Sequence, residues 1–90
     1  MSDAPDDSLL EFPCRFPIKM MGRHGDRFRQ VAVELVASHA GKISPDAITE
    51  STSSNGNFLS ITVTIDAQSR EQLDNIYRAL SEHEEVLVAL

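Results

Sequence analysis

Phe58-Leu59-Ser60-Ile61-Thr62-Val63-Thr64-Ile65 alternates apolar and mostly hydroxyl-bearing residues at a period of two, the pattern of a strand with one buried and one solvated face. Asn55-Gly56, a hairpin signal, stands just before it, and Ser69 opens a helix shortly after it. The middle of the chain therefore reads strand, turn, strand, helix. An amphipathic helix upstream and apolar segments at both ends complete the order β-α-β-β-α-β.

Ninety residues allow one small domain with a single modest core. The formal charge of −6 is unevenly placed, because Asp3, Asp6, Asp7 and Glu11 supply four negatives and leave −2 for residues 12 to 90. An acidic chain repels phosphate backbones and anionic lipid at long range, which argues against nucleic-acid and membrane partners. Cys14 is the single cysteine, so no intrachain disulfide forms and a reducing, cytoplasmic setting is expected. Met1 to Asp7 lacks the basic start and apolar run of a secretory signal, and no apolar stretch reaches the roughly 18 residues of a membrane span.

Met1 to Ser8 holds too little apolar surface to offset the entropy of ordering and is expected to be a mobile acidic tail, with one domain over residues 9–90. Leu9, Leu10 and Phe12 suggest a segment that packs back on the domain or on a second copy. Pro13 and Pro17 bracket Cys14-Arg15-Phe16, so the first strand is expected over Phe16 to Met21, with Phe16, Ile18 and Met20 inward. Phe28, Val31, Ala32, Leu35 and Val36 follow helical spacing and predict a helix from Asp26 to His39, stopped by Gly41. Ser44-Pro45-Asp46 turns the chain into a polar edge strand, Ala47 to Ser53. Ser69 and Gln72 form a capping box before the stripe Leu73, Ile76, Tyr77 and Leu80, and Asp74 is spaced to pair with Arg78. Val86-Leu87-Val88-Ala89-Leu90 reads as a last strand.

Right-handed crossovers place both helices on one face, giving an α+β, ferredoxin-like sandwich whose four-stranded antiparallel sheet keeps one face open. Ser60, Thr62 and Thr64 line that open face, where single-stranded RNA readers carry two or three stacking aromatics. Only Phe58 could serve here, so RNA recognition is not expected.

Gly22-Arg23-His24-Gly25 is the candidate ligand site. It leads into a helix N-terminus, and Arg15, Lys19, Arg23, Arg27 and Arg29 place five cations within fifteen residues, a setting that suits a small anionic metabolite. His24, His39 and His83 share no metal-binding spacing, and neither metal nor cofactor is expected. An enzymatic alternative exists: Gly22 to Arg29 superficially resembles the phosphate-binding loop of acylphosphatases. It is one residue shorter, lacks the valine and glutamine between the glycines, and has its asparagines, Asn55 and Asn57, in the turn and not on the preceding strand.

A second resemblance covers nearly the whole folded part. Leu9 to Pro13, Lys19 to Gly22, Ser53 to Phe58, Ser60 to Val63 and the closing Val86 to Leu90 are similar, in residues and in spacing, to the YbeD-like family of small bacterial proteins of unknown function. That resemblance implies a ferredoxin-like fold similar to ACT regulatory domains, which pair side by side and bind small ligands near a glycine that ends the first strand, Gly22 here. It implies no assigned activity. The apolar last strand and Leu9-Leu10-Phe12 are more than a lone 90-residue domain readily covers, so the expectation is a non-enzymatic binding or regulatory module acting as a homodimer or through a small anion or protein partner.

Overall fold

The computed structural model describes residues 11–90; the expected tail and the Leu9-Leu10 pair lie outside them. Strand β1 (Cys14–Arg23) is followed by helix α1 (Asp26–Ala40), edge strand β2 (Ile48–Thr52), strand β3 (Phe58–Ala67), helix α2 (Arg70–Glu82) and a short strand β4 (Val88–Ala89). The sheet order is β2-β3-β1-β4, every pairing antiparallel. This is the expected α+β fold, with the two central strands β1 and β3 aligned over ten residue pairs from Cys14 opposite Ala67 to Arg23 opposite Phe58.

Burial alternates strictly along β3, where Leu59, Ile61, Val63, Ile65 and Ala67 are buried. Their same-face neighbours Ile18 and Met20 of β1 meet Phe28, Ala32 and Val36 of α1 and Leu73, Ile76 and Leu80 of α2. One face of the sheet thus holds the whole core, and the other is open. Each fully buried side chain of this size contributes about 1.5–3 kcal/mol.

β1 begins two residues earlier than expected and carries Pro17 in its interior. Backbone groups alternate in direction along an antiparallel strand. Residues 14, 16, 18 and 20 bond to β3, so Pro17 and Lys19 address the β4 side, where the ladder starts at the Lys19–Leu90 pair (2.7 and 3.3 Å). The missing N–H of Pro17 therefore costs no ladder bond.

α1 starts after Gly25 (φ +143°) and stops at Gly41 (φ +86°), whose amide bonds to Ala37 O at 2.8 Å. Both conformations favour glycine. A 3-10 turn over Pro45–Ala47, capped by Ser44, delays β2 by one residue relative to expectation. The Asn55-Gly56 pair does not make a two-residue hairpin. Ser53 N–H bonds to Phe58 O and Gly56 N–H to Ser53 O, and only Gly56 has positive φ (+79°), so the connection is a four-residue loop. The Asn55 side chain stabilises it by accepting from Ser53 Oγ (2.9 Å) and Asn57 N–H (3.1 Å).

Ser69 Oγ caps α2 by accepting from Gln72 N–H at 3.0 Å. Gln72 Oε1 accepts from Gln68 N–H at 2.7 Å, and its amide nitrogen donates to His39 O at 3.0 Å, which fastens the start of α2 to the end of α1. Asp74 pairs with Arg70 (3.5 Å) and not with Arg78, which donates instead to Asn75 one turn back. The last strand is shorter than expected because Val86 N–H closes a turn on His83 O and its side chain enters the core.

Candidate functional site

Gly22 ends the buried row of β1. A Cβ there would lie inside the contact distance of the Phe28 ring and 2.7 Å from the backbone oxygen of Glu85. Glycine at this position lets α1 and the segment before β4 close over the strand. Arg23 is exposed on the open face opposite Phe58, His24 donates its backbone N–H to Asn57 O at 3.0 Å, and Gly25 sits before α1 with nothing within 4 Å of its missing Cβ. The turn is thus tied to the β2-β3 hairpin on one side and to α1 on the other.

The five cations do not converge. Arg15, Lys19 and Arg23 lie along the open face of β1, whereas Arg27 and Arg29 lie on the helical side. Arg27 Nε bonds to Glu85 at 3.1 Å. Arg29 forms a two-pronged pair with Glu50 of β2 (2.7 and 2.8 Å) and reaches Asp26 at 2.7 Å. The hydrogen bonds from Arg29 hold the Glu50 carboxyl below its usual range, and Glu50 raises the Arg29 guanidinium further above its own. Sequence offered no signal for this pair, since 21 positions separate its members and only sheet order makes them neighbours. Three of the arginines expected to hold an anion already answer carboxylates, since Arg15 also lies 3.6 Å from Asp66. An anion seated at Gly22 to Gly25 would depend on Arg23 and the Gly25–Asp26 amides. If such an anion binds, phosphate or a small dicarboxylate raises the melting temperature and Arg23→Glu removes the rise; a rise of equal size in the variant would locate the anion elsewhere.

The second feature is an apolar corner. Among the described residues, the exposed large hydrophobics are Met21 (38%), Leu87 (47%), Val88 (42%) and Leu90 (73%), and all four gather where β1 meets β4. Tyr77 of α2 donates its hydroxyl to Leu90 O at 2.6 Å and stacks edge-on against Phe16, which anchors the corner from the helical side. Burial pushes the Tyr77 hydroxyl pKa up. Lys19, Ser60 and Thr62 border the hollow beside Met21, Val88 and Leu90, of about 140 Å³. Sequence pointed to the last strand but not to Met21 as its companion.

Among the described residues no three His, Cys, Asp or Glu side chains gather as a metal set, and no helix is long and apolar enough to cross a membrane. The family model described as Protein of unknown function (DUF493) matches residues 7–90. The chain belongs to this family. Members of the DUF493 group carrying the designation UPF0250 include a protein of Janthinobacterium sp. (strain Marseille), 49% identical over 79 residues that cover 88% of this chain and 87% of the relative. A UPF0250 protein of Leptothrix cholodnii is 42% identical over 91 residues, spanning all of both chains. The YbeD-like resemblance is thereby established. The solution structure of protein HP0495 from H. pylori has the same fold, with a TM-score of 0.70 at 19% identity over 100% of this chain and 98% of that one. None of these matches indicates an enzymatic family.

Proposed function

We propose that the protein is a non-enzymatic binding module of the regulatory kind, working in the cytoplasm by associating with protein surfaces, with a second copy of itself as the first partner. The observation that supports this reading is the apolar corner of Met21, Leu87, Val88 and Leu90. Exposed apolar side chains are ordinary when scattered; four gathered at one sheet corner are the kind of surface an interface covers. β4 is only two residues long, so it offers little backbone for strand addition and the contact relies on side chains. Lys19 beside the hollow and the Ser60 and Thr62 hydroxyls would form the polar rim of such a contact.

A sedimentation experiment tests the proposal. The wild-type chain of 9.9 kDa is expected to run as a dimer at micromolar concentration, and Val88→Lys, which places a charge at the centre of the corner, as a monomer. A monomeric mass for the wild type would remove the dimer, and a dimeric mass for Val88→Lys would move its interface away from the corner.

A further inference from the structure

We infer that the outer edge of β2 takes an extended, basic segment of a partner protein as a fifth strand of the sheet. Ser53 N–H bonds to Phe58 O, and backbone direction alternates along the strand. Thr49 and Ser51 therefore also address β3, while the backbone groups of Ile48, Glu50 and Thr52 point away from the sheet. The Ile48 N–H closes on Pro45 O. Among the described residues, no hydrogen bond reaches the Ile48 C=O or the N–H and C=O of Glu50 and Thr52. Folded proteins ordinarily blunt such an edge with lysine, proline or a bulge. β2 has none of these: it reads Ile48-Thr49-Glu50-Ser51-Thr52, pairs with β3 residue for residue, and turns its one charge, Glu50, to Arg29 on the helical face. The opposite edge differs, because β4 is two residues long and presents apolar side chains with little backbone.

The surroundings select the occupant. A hollow of about 410 Å³ on the flank of α1 is lined by Asp26, Arg29, Gln30, Val33 and Glu34, and Arg29 joins it to Glu50 of β2. Asp26, Glu34 and Glu50 are three carboxylates against the one guanidinium of Arg29, a net −2. α1 and β2 run in opposite directions, and four residues of helix cover about the same 6 Å as two residues of strand. With Arg29 over Glu50, Val33 falls towards Ile48 and Asp26 towards Thr52. A segment added antiparallel to β2 thus fits best with a basic residue opposite Thr52, another opposite Glu50 and an apolar residue opposite Ile48. Its intervening side chains would lie beside Thr49 and Ser51, which carry no charge. A second copy of β2 does not fit, because the register that uses the whole strand sets one Glu50 directly against the other, where like charges repel. The inference goes beyond self-association and does not rest on it.

The test follows amide hydrogen exchange in the full-length protein with a capped synthetic peptide of the pattern lysine-threonine-lysine-threonine-valine, flanked by serines. Exchange at Glu50 and Thr52 is expected to slow by about tenfold at a peptide concentration about nine times its Kd. Asp26→Asn/Glu34→Gln is expected to weaken the peptide by about two- to fivefold for each carboxylate. Thr52→Pro removes an outward N–H and no bond to β3, so it is expected to keep the fold and lose the protection at Glu50. A peptide N-methylated at its second lysine makes the same test from the other side and is expected not to protect, and neither is a peptide with glutamate in place of lysine. Val88→Lys is expected to bind as the wild type does, so loss of the dimer and loss of edge binding are read separately. Unchanged exchange at Glu50 and Thr52, whatever shifts occur elsewhere, or equal protection by the N-methylated or glutamate peptide, would overturn the inference.

Discussion

Gly22→Ala is expected to destabilise the fold by about 1–3 kcal/mol, the cost of forcing extra volume into a packed interior. For a chain of this size each kilocalorie lowers the melting temperature by about 4–8 °C. The added methyl would meet two neighbours that cannot both yield. Phe28 is 1% exposed and enclosed by the core. The Glu85 oxygen, 2.7 Å away, belongs to the backbone leading into Val86, itself a core residue. Urea unfolding measures the effect as a lower midpoint with unchanged slope. Adding Phe28→Leu relieves one clash and leaves the other, so it is expected to recover only part of the loss. If Gly22 were required only for a ligand, Gly22→Ala would unfold at the wild-type midpoint.

Ile61→Ala carries the other large effect, about 2–5 kcal/mol, against a total stability of about 5–15 kcal/mol for a typical domain. Ile61 is fully buried at the centre of β3, between Met20 of β1 and Glu50 of β2. Its side chain faces the helices, and the ladders on both sides keep the strand from collapsing into the space left behind. Ile61→Val is expected to cost about 0.5–1.5 kcal/mol. Thr62→Ala, one residue along but on the open face, should stay within about 0.5 kcal/mol. Thermal unfolding of the three variants checks the ranking, and a cost for Thr62→Ala near that of Ile61→Ala would contradict the assignment of faces.

The parts of the fold legible in sequence were those written in local patterns. The alternation from Phe58 to Ile65 and the stripes Phe28-Val31-Ala32-Leu35-Val36 and Leu73-Ile76-Tyr77-Leu80 each report which side of an element meets the core; the stripe residues are buried there or, at Val31, Leu35 and Tyr77, partly buried against it. Errors arose where a local signal met a longer-range one. Pro17 argued for a late start to β1, but its missing N–H addresses the one side of the strand that has no ladder there. Asn55-Gly56 suggested a two-residue turn, yet Ser53 pairs with Phe58 and the loop takes four residues. The five apolar residues that end the chain suggested a full strand, but Val86 is drawn into the core and leaves a strand of two residues.

The candidate site was less legible. The turn Gly22 to Gly25 could be located from sequence, but its cations could not be assigned. Arg27 and Arg29 look like members of one basic cluster until sheet order and helix direction deliver Glu85 and Glu50 to them. The apolar corner likewise depends on register, because Met21 and Val88 lie 67 positions apart and become neighbours only when β4 pairs with β1.

By itself the sequence determined the element order, the inward face of each element and the uneven distribution of charge, because periodicity, caps and composition act within a few residues. Only the tertiary structure decided that Gly22 is a packing glycine, that Arg29 answers Glu50, and that Met21 joins the last strand in one exposed corner. Those are contacts between distant segments, and their geometry exists only once the sheet has closed and the helices lie on it.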